Sequence, residues 1–167
     1  MKQMLGVASV VAVVGASLVL AASAGLAADM KAKKDPHARG RYVATIGGCN
    51  DCHTPGYAMS GGKVPEKQWL TGDGLGWHGA WGTTYPVNLR LYVQKLDENA
   101  WVAKARTLTA RPPMPFWALN EMSESDLRAL YRFIKGLGPA GEEAPAYLPP
   151  GQEPKGPVVT FPAPPQK

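Results

Sequence analysis

Only two cysteines occur among the 167 residues, and they stand three positions apart in Cys49-Asn50-Asp51-Cys52-His53. Two thiols at this spacing can each add across a vinyl group of a haem to form thioethers. A histidine directly after the second is then carried under the iron as an axial ligand. Such a chain must fold around one flat, largely apolar cofactor. Three other uses of a Cys-x-x-Cys pair compete. A zinc site needs four ligands, yet no further cysteine exists, and His37 and His78 have no metal-type spacing to each other. A disulfide leaves His53 without a role. A thioredoxin-type pair needs a βαβ context that the sequence lacks. His53 therefore tips the reading to one covalent haem c and its iron.

Ahead of the motif, Gln3 to Ala28 holds no ionisable side chain and is rich in Val, Ala and Leu from Leu5 to Leu20. With Lys2 before it, and Ala22-Ser23-Ala24 and Leu26-Ala27-Ala28 as cleavage sites, the segment 1–28 reads as a secretory signal peptide. The expected location is the periplasm, where covalent haem attachment and export go together. An uncleaved anchor is the competing reading, because the run is long enough to span a bilayer; membrane contact is expected only in that case.

Residues 29–138 read as one globular domain, with a short charged leader at 29–35, and residues 139–167 as a tail holding nine of the 16 prolines. Proline removes donors and forbids helix, so the tail is an extended strap or a disordered end, with Tyr147, Val158, Val159 and Phe161 available to pin it. The full chain has 18 basic and 13 acidic residues, and loss of Lys2 leaves 17 minus 13, or +4. No block of like charge exceeds Lys31-Ala32-Lys33-Lys34, so nucleic acid is not an expected partner. The small positive excess biases docking toward an acidic protein surface.

The best helical signal is the last. Ser123 is an N-cap type with Asp126 three residues on, Leu127, Leu130, Tyr131 and Ile134 repeat at helical spacing, and Gly136 and Gly138-Pro139 stop the run. An earlier helix is expected from Asp35 as N-cap with Pro36 at N1, its apolar face formed by Ala38, Tyr42, Val43 and Ile46. Further helices fit Asn99–Leu108 and, less clearly, Asn88–Lys95. No strand ladder is legible between them.

A second axial ligand has to come from elsewhere in the chain, and Met114 is the best candidate. It lies in Arg111-Pro112-Pro113-Met114-Pro115, where three prolines make a stiff, non-helical segment that can present a thioether at little entropic cost. Met122 and Leu127 occupy the positions of a hydrophobic staple around Ser123, a structural role. Met59 is too close to His53 to cross to the other haem face. His78 reads as a loop residue, with bis-histidine ligation the open alternative. Gly74-Leu75-Gly76-Trp77-His78-Gly79 matches G-x-G-x-x-G, but no buried strand precedes it and no helix follows, so dinucleotide binding is rejected. The glycines instead let backbone lie close to a flat cofactor, and Trp69, Trp77 and Trp81 could wall it.

Together, the helix around Gly40-x-Tyr42, Cys49-x-x-Cys52-His53-Thr54-Pro55-Gly56, Gly82-Thr83-x-Tyr85-Pro86-x-Asn88-Leu89, Pro113-Met114-Pro115 and the Leu127–Leu137 helix resemble a bacterial mono-haem class I cytochrome c. The likeness is nearest to the cytochrome c domains associated with periplasmic alcohol-type dehydrogenases, and spans about residues 36–150. It implies a small all-α fold whose first and last helices cross, with Gly40 and Tyr42 near Leu130 and Tyr131. It also implies haem attachment at Cys49 and Cys52, His53 as proximal and Met114 as distal ligand. Such cytochromes often use a proline carbonyl to accept the axial His N–H, and Pro65 is at a plausible distance for it. Tyr85, Asn88, Arg90 and Trp101 are candidates for the haem propionates, which need donors or a cation.

The expected function is outer-sphere electron transfer by an electron carrier that is not itself an enzyme, its redox partners being a dehydrogenase, an oxidase or a respiratory complex. The alternatives are a fixed haem subunit of such a complex, and a haem enzyme or sensor whose sixth ligand is labile.

Overall fold

In the computed structural model, residues 35–162 are described. The signal segment 1–28 and its alternative as an anchor lie outside them. The longest element, α6 (Glu124–Leu137), forms where the sequence places it: the Ser123 side chain accepts from the Asp126 N–H at 3.2 Å, and Leu127, Leu130, Tyr131, Phe133 and Ile134 are buried. It runs through Gly136 and ends at Gly138, whose φ of +71° only glycine adopts freely.

Against α6 lies α1 (Ala38–Ile46), and the contact is closest at Gly40. A Cβ there would stand 2.1 Å from the Ala129 carbonyl oxygen and 2.5 Å from Phe133 Cβ. The pairing expected with Leu130 and Tyr131 is thus shifted. Tyr131 donates instead to the Leu96 carbonyl, and Tyr42 is exposed, with the Arg39 guanidinium over its ring. The start of α1 also differs from expectation. Pro36 and His37 form a turn, and His37, not Asp35, holds the N-cap position without a side-chain cap bond.

Short elements fill the remaining length. α2 (Cys49–His53) follows α1 across Gly47-Gly48, Gly48 adopting φ +68°. α3 (Leu89–Tyr92) is capped by the Asn88 side chain and continues as a 3-10 turn over Val93–Lys95. α4 (Glu98–Thr107) is capped by Asp97 and packs on α6, where the Trp101 indole N–H donates to the Leu127 carbonyl at 2.9 Å. α5 (Phe116–Asn120) leads into α6.

The all-α expectation is overturned. Among the described residues, six α-helices are accompanied by a three-stranded mixed sheet of order β2-β1-β3, an α/β composition. β1 (Gly76–Gly79) and β2 (Gly82–Thr84) form an antiparallel hairpin in the register Trp77↔Thr84 and Gly79↔Gly82. β3 (Val158–Thr160) adds parallel to β1, with Gly76 opposite Val158. The sequence hides this sheet for physical reasons. Three- and four-residue strands containing glycine show no alternation, and the third strand comes from the proline-rich tail.

That tail is an extended strap. Thr83 and Leu148 exchange two backbone hydrogen bonds at 2.8 and 3.0 Å, and the Phe161 ring packs on Trp77 and Trp81 at centroid distances of 6.0 and 5.2 Å. Gly82 makes room for it: a Cβ there would lie 2.1 Å from the Leu148 carbonyl oxygen. No helix among the described residues is long and apolar enough to cross a membrane.

Candidate functional site

One cavity of about 590 Å³ opens between α2, the hairpin, α4, the 111–115 segment and the strap. Its volume is that of a pocket for a sizeable organic ligand, and its lining is predominantly apolar. Cys49, Cys52, His53 and Met114 all line it, so the structure brings the four expected site residues to one space.

Local sequence explains how α2 presents its side chains. Gly48 lets the chain turn sharply out of α1, and the buried Asn50 and Thr54 clamp the far side of the short helix: Thr54 Oγ1 donates to Asn50 Oδ1 at 2.8 Å and accepts from the Leu70 N–H at 2.7 Å. Leu70 is fully buried and holds a left-handed φ of 61°, uncommon for a side chain of its size and sustained by this packing. The His53 carbonyl accepts from the Gly72 N–H at 2.9 Å. Cys49, Cys52 and His53 are thus fixed on a braced turn of helix.

His53 is buried, and its Nδ1 lies 2.8 Å from the Val87 carbonyl oxygen. Because a carbonyl only accepts, Nδ1 carries the proton, which leaves the lone pair on Nε2. Burial pushes the imidazole pKa down, opposed by the Val87 hydrogen bond, so the ring is neutral and ligand-competent. The carbonyl partner is therefore Val87 and not Pro65, whose oxygen accepts from the Gln68 N–H. A backbone acceptor more than thirty residues away leaves no mark in the sequence.

The two cysteines are free thiols. Burial raises the Cys49 pKa to about 11, and burial together with the Asp51 and Asp73 carboxylates raises that of Cys52. Reactive redox pairs have lowered thiol pKa values, so this environment is opposite to that of a dithiol oxidoreductase. Among the described residues, no group of three or more His, Cys, Asp or Glu side chains could hold a metal ion. The pocket offers an imidazole nitrogen and a thioether sulfur, a set that suits haem iron.

The remaining candidates divide. Tyr85 and Trp101 line the cavity, although the Trp101 N–H is already donated to Leu127. Asn88 and Arg90 do not. The Arg90 guanidinium is buried and donates to the carbonyls of Lys67, Leu137 and Gly138, closing the end of α6. Of the three tryptophans, only Trp77 reaches the cavity; Trp69 packs on Tyr57 and Phe133, and Trp81 on Phe161. His78 bonds Thr83 Oγ1 at 2.7 Å, and Met59 is 92% exposed, so neither faces the pocket. Met122 does line it, beside Gly47, in addition to packing on the core.

Sequence reasoning missed Lys104, Arg111 and Tyr147, which put two cations and a phenol at the same cavity. Arg111 adjoins the Pro-Pro-Met segment, and that adjacency was the available signal. With an apolar body, one lone-pair imidazole, two thiols and cations near the edge, the residues fit a covalently attached haem with charged propionates.

Against known proteins, no family model matches the chain, and no solved structure matches it. It is 29% identical over 118 residues to a nicotinate dehydrogenase component of Pseudomonas putida, a stretch covering 65% of this chain. The chain spans only about 9% of the length of that relative. This is weak similarity to a segment of an oxidoreductase subunit.

Proposed function

We propose that this protein carries one covalent haem c and passes single electrons between exported redox proteins. The observation that carries the reading is the convergence of Cys49, Cys52, His53 and Met114 on one largely apolar cavity. Cys49 and Cys52 would each add S–H across a vinyl group, the sulfur bonding one carbon and the hydrogen the other. His53 Nε2 would hold one axial position and the Met114 sulfur the other. Bound there, the haem would supply a one-electron ferric/ferrous couple. Val87 fixes the His53 ring and raises its basicity as a ligand through the Nδ1–H bond. Apolar side chains such as Leu89, Leu108, Leu119 and Leu130 exclude water, which disfavours the more positive oxidation state. The thioether at Met114 acts in the same direction.

The similarity to a dehydrogenase component favours one particular use: an electron-accepting module associated with a periplasmic dehydrogenase, not itself the catalyst. A free shuttle and a sensor with a labile sixth ligand are the readings it displaces.

The test is a visible spectrum of the protein exported from cells able to attach haem c, oxidised, reduced, and reduced under carbon monoxide. A low-spin c-type spectrum unchanged by carbon monoxide is expected, with loss of covalent haem in Cys49→Ala/Cys52→Ala. Ready carbon monoxide binding by the unaltered protein would replace the carrier with ligand chemistry, and absence of covalent haem would remove the reading altogether.

A further inference from the structure

The strap does more than complete the sheet. Tyr147 sits where it crosses the mouth of the cavity and makes two contacts in opposite directions. Its hydroxyl donates to the Trp81 carbonyl at 2.7 Å, at the turn of the hairpin. Its ring lies under the Arg111 guanidinium, 3.7 Å from the ring centroid. Arg111 begins the short segment that ends in Met114, and the Met114 N–H donates to the Arg111 carbonyl at 3.3 Å. The same segment has one further side-chain tether to the hairpin, from Thr84 Oγ1 to the Pro112 carbonyl at 2.7 Å. Next to Tyr147, the Thr83–Leu148 backbone pair ties the strap to the hairpin. Met114 is therefore presented by a segment clamped at Arg111 and Pro112, and one of its clamps belongs to the C-terminal strap.

We infer that Tyr147 is a positioning residue for Met114, through which the strap sets how firmly the thioether holds the sixth coordination site. The inference rests on the reading of Met114 as distal ligand. A planar guanidinium stacked on a phenol whose own position is fixed by a hydrogen bond restrains the start of a segment only a few residues long. The thioether then reaches its place with little remaining freedom. Releasing Arg111 leaves Thr84 as the side-chain restraint, so the methionine should yield more readily to a competing ligand.

The experiment uses the haem-loaded protein in its ferric form and titrates it with imidazole, which competes with the thioether for iron. In Tyr147→Ala, imidazole should bind roughly three- to tenfold more tightly than in the unaltered protein, the scale of one lost cation–π contact. The weak far-red absorption of iron–thioether ligation should fall. Arg111→Gln should show the same change, and the double variant should be no worse than either, since both remove one contact. Tyr147→Phe, which keeps the ring but loses the Trp81 bond, should lie between. If Tyr147→Ala lowers the melting temperature while imidazole affinity stays put, Tyr147 is ordinary packing and the inference is overturned. Should Tyr147→Ala fail to fold, Arg111→Gln decides alone, because Arg111 is exposed. The control is Met114→Ala. If it binds imidazole far more tightly while the other variants do not, only the positioning role falls. If it too is unchanged, Met114 is not the ligand, and the distal assignment falls with the inference.

Discussion

The Nδ1–H of His53 donates to the carbonyl oxygen of Val87 across 2.8 Å, so the imidazole is oriented by backbone rather than by another side chain. What holds that carbonyl in place is the next residue. Asn88 is fully buried, its Oδ1 accepts from the Leu91 N–H at 3.0 Å, and its Nδ2 donates to the carbonyls of Ala140 and Glu142 at 2.8 and 3.0 Å. One amide thus caps α3, holds the strap and anchors the peptide that orients His53.

Asn88→Ala should therefore cost stability and loosen the site together. Loss of a helix cap and two buried donors predicts a destabilisation of about 1–3 kcal/mol in urea unfolding. A loss of only a few tenths would mean that water or a shifted strap replaces the amide without penalty.

Gly40→Ala separates helix propensity from packing. Alanine favours an isolated helix over glycine by about 1 kcal/mol, so propensity alone predicts a more stable protein. A Cβ at this position would lie 2.1 Å from the Ala129 carbonyl oxygen, a backbone atom that cannot rotate away. We expect the clash to win, with a net loss of about 1–3 kcal/mol. A variant as stable as the parent would show that α1 can ride off α6 freely.

Long-period and cap signals were legible in the sequence, and contacts across the chain were not. α6 and α4 lie close to their expected bounds because Ser123 and Asp97 cap them and their apolar residues recur every three or four positions. The hairpin at Gly76–Thr84 was not legible, since its ladder depends on Val158–Thr160 for a third strand. The same limit applied to the site. Cys49, Cys52, His53 and Met114 were found by residue type and spacing, and all four reach one cavity. Arg90 and Asn88 were misjudged as possible propionate donors because a donor's chemistry says nothing about which carbonyls occupy it. Tyr147 was expected only to pin the tail, and its place at the cavity depends on where the strap crosses the hairpin.

Acid should weaken the α4–α6 contact. Hydrogen bonds from Arg132, opposed in part by burial and helped by Arg128, hold the Glu98 carboxyl below its ordinary pKa of 4.5. A carboxylate depressed on folding contributes its stability fully above the unfolded value and loses it as pH falls through the folded one. Glu98→Gln should accordingly melt at a lower temperature than the parent at neutral pH, and the gap should close as the pH drops from about 5 to 3. A gap that stays constant over that range would assign the effect to lost packing rather than charge.

The strap yields a graded series. Phe161 is partly buried between Trp77 and Trp81, so Phe161→Ala should cost about 1–2 kcal/mol and shift tryptophan emission to the red as water reaches the indoles. Removing residues 140–167 takes away β3, the Leu148 pair, the Tyr147 contacts and both carbonyl acceptors of Asn88. Its loss should exceed that of Phe161→Ala, because it also leaves the buried Asn88 amide without partners, and a donor stranded inside the protein costs more than a trimmed ring. Urea unfolding of the three proteins, followed by tryptophan emission, orders them. If the truncated chain unfolds with the parent, the strap rests on the hairpin without supporting it, and the buried amide must have found solvent.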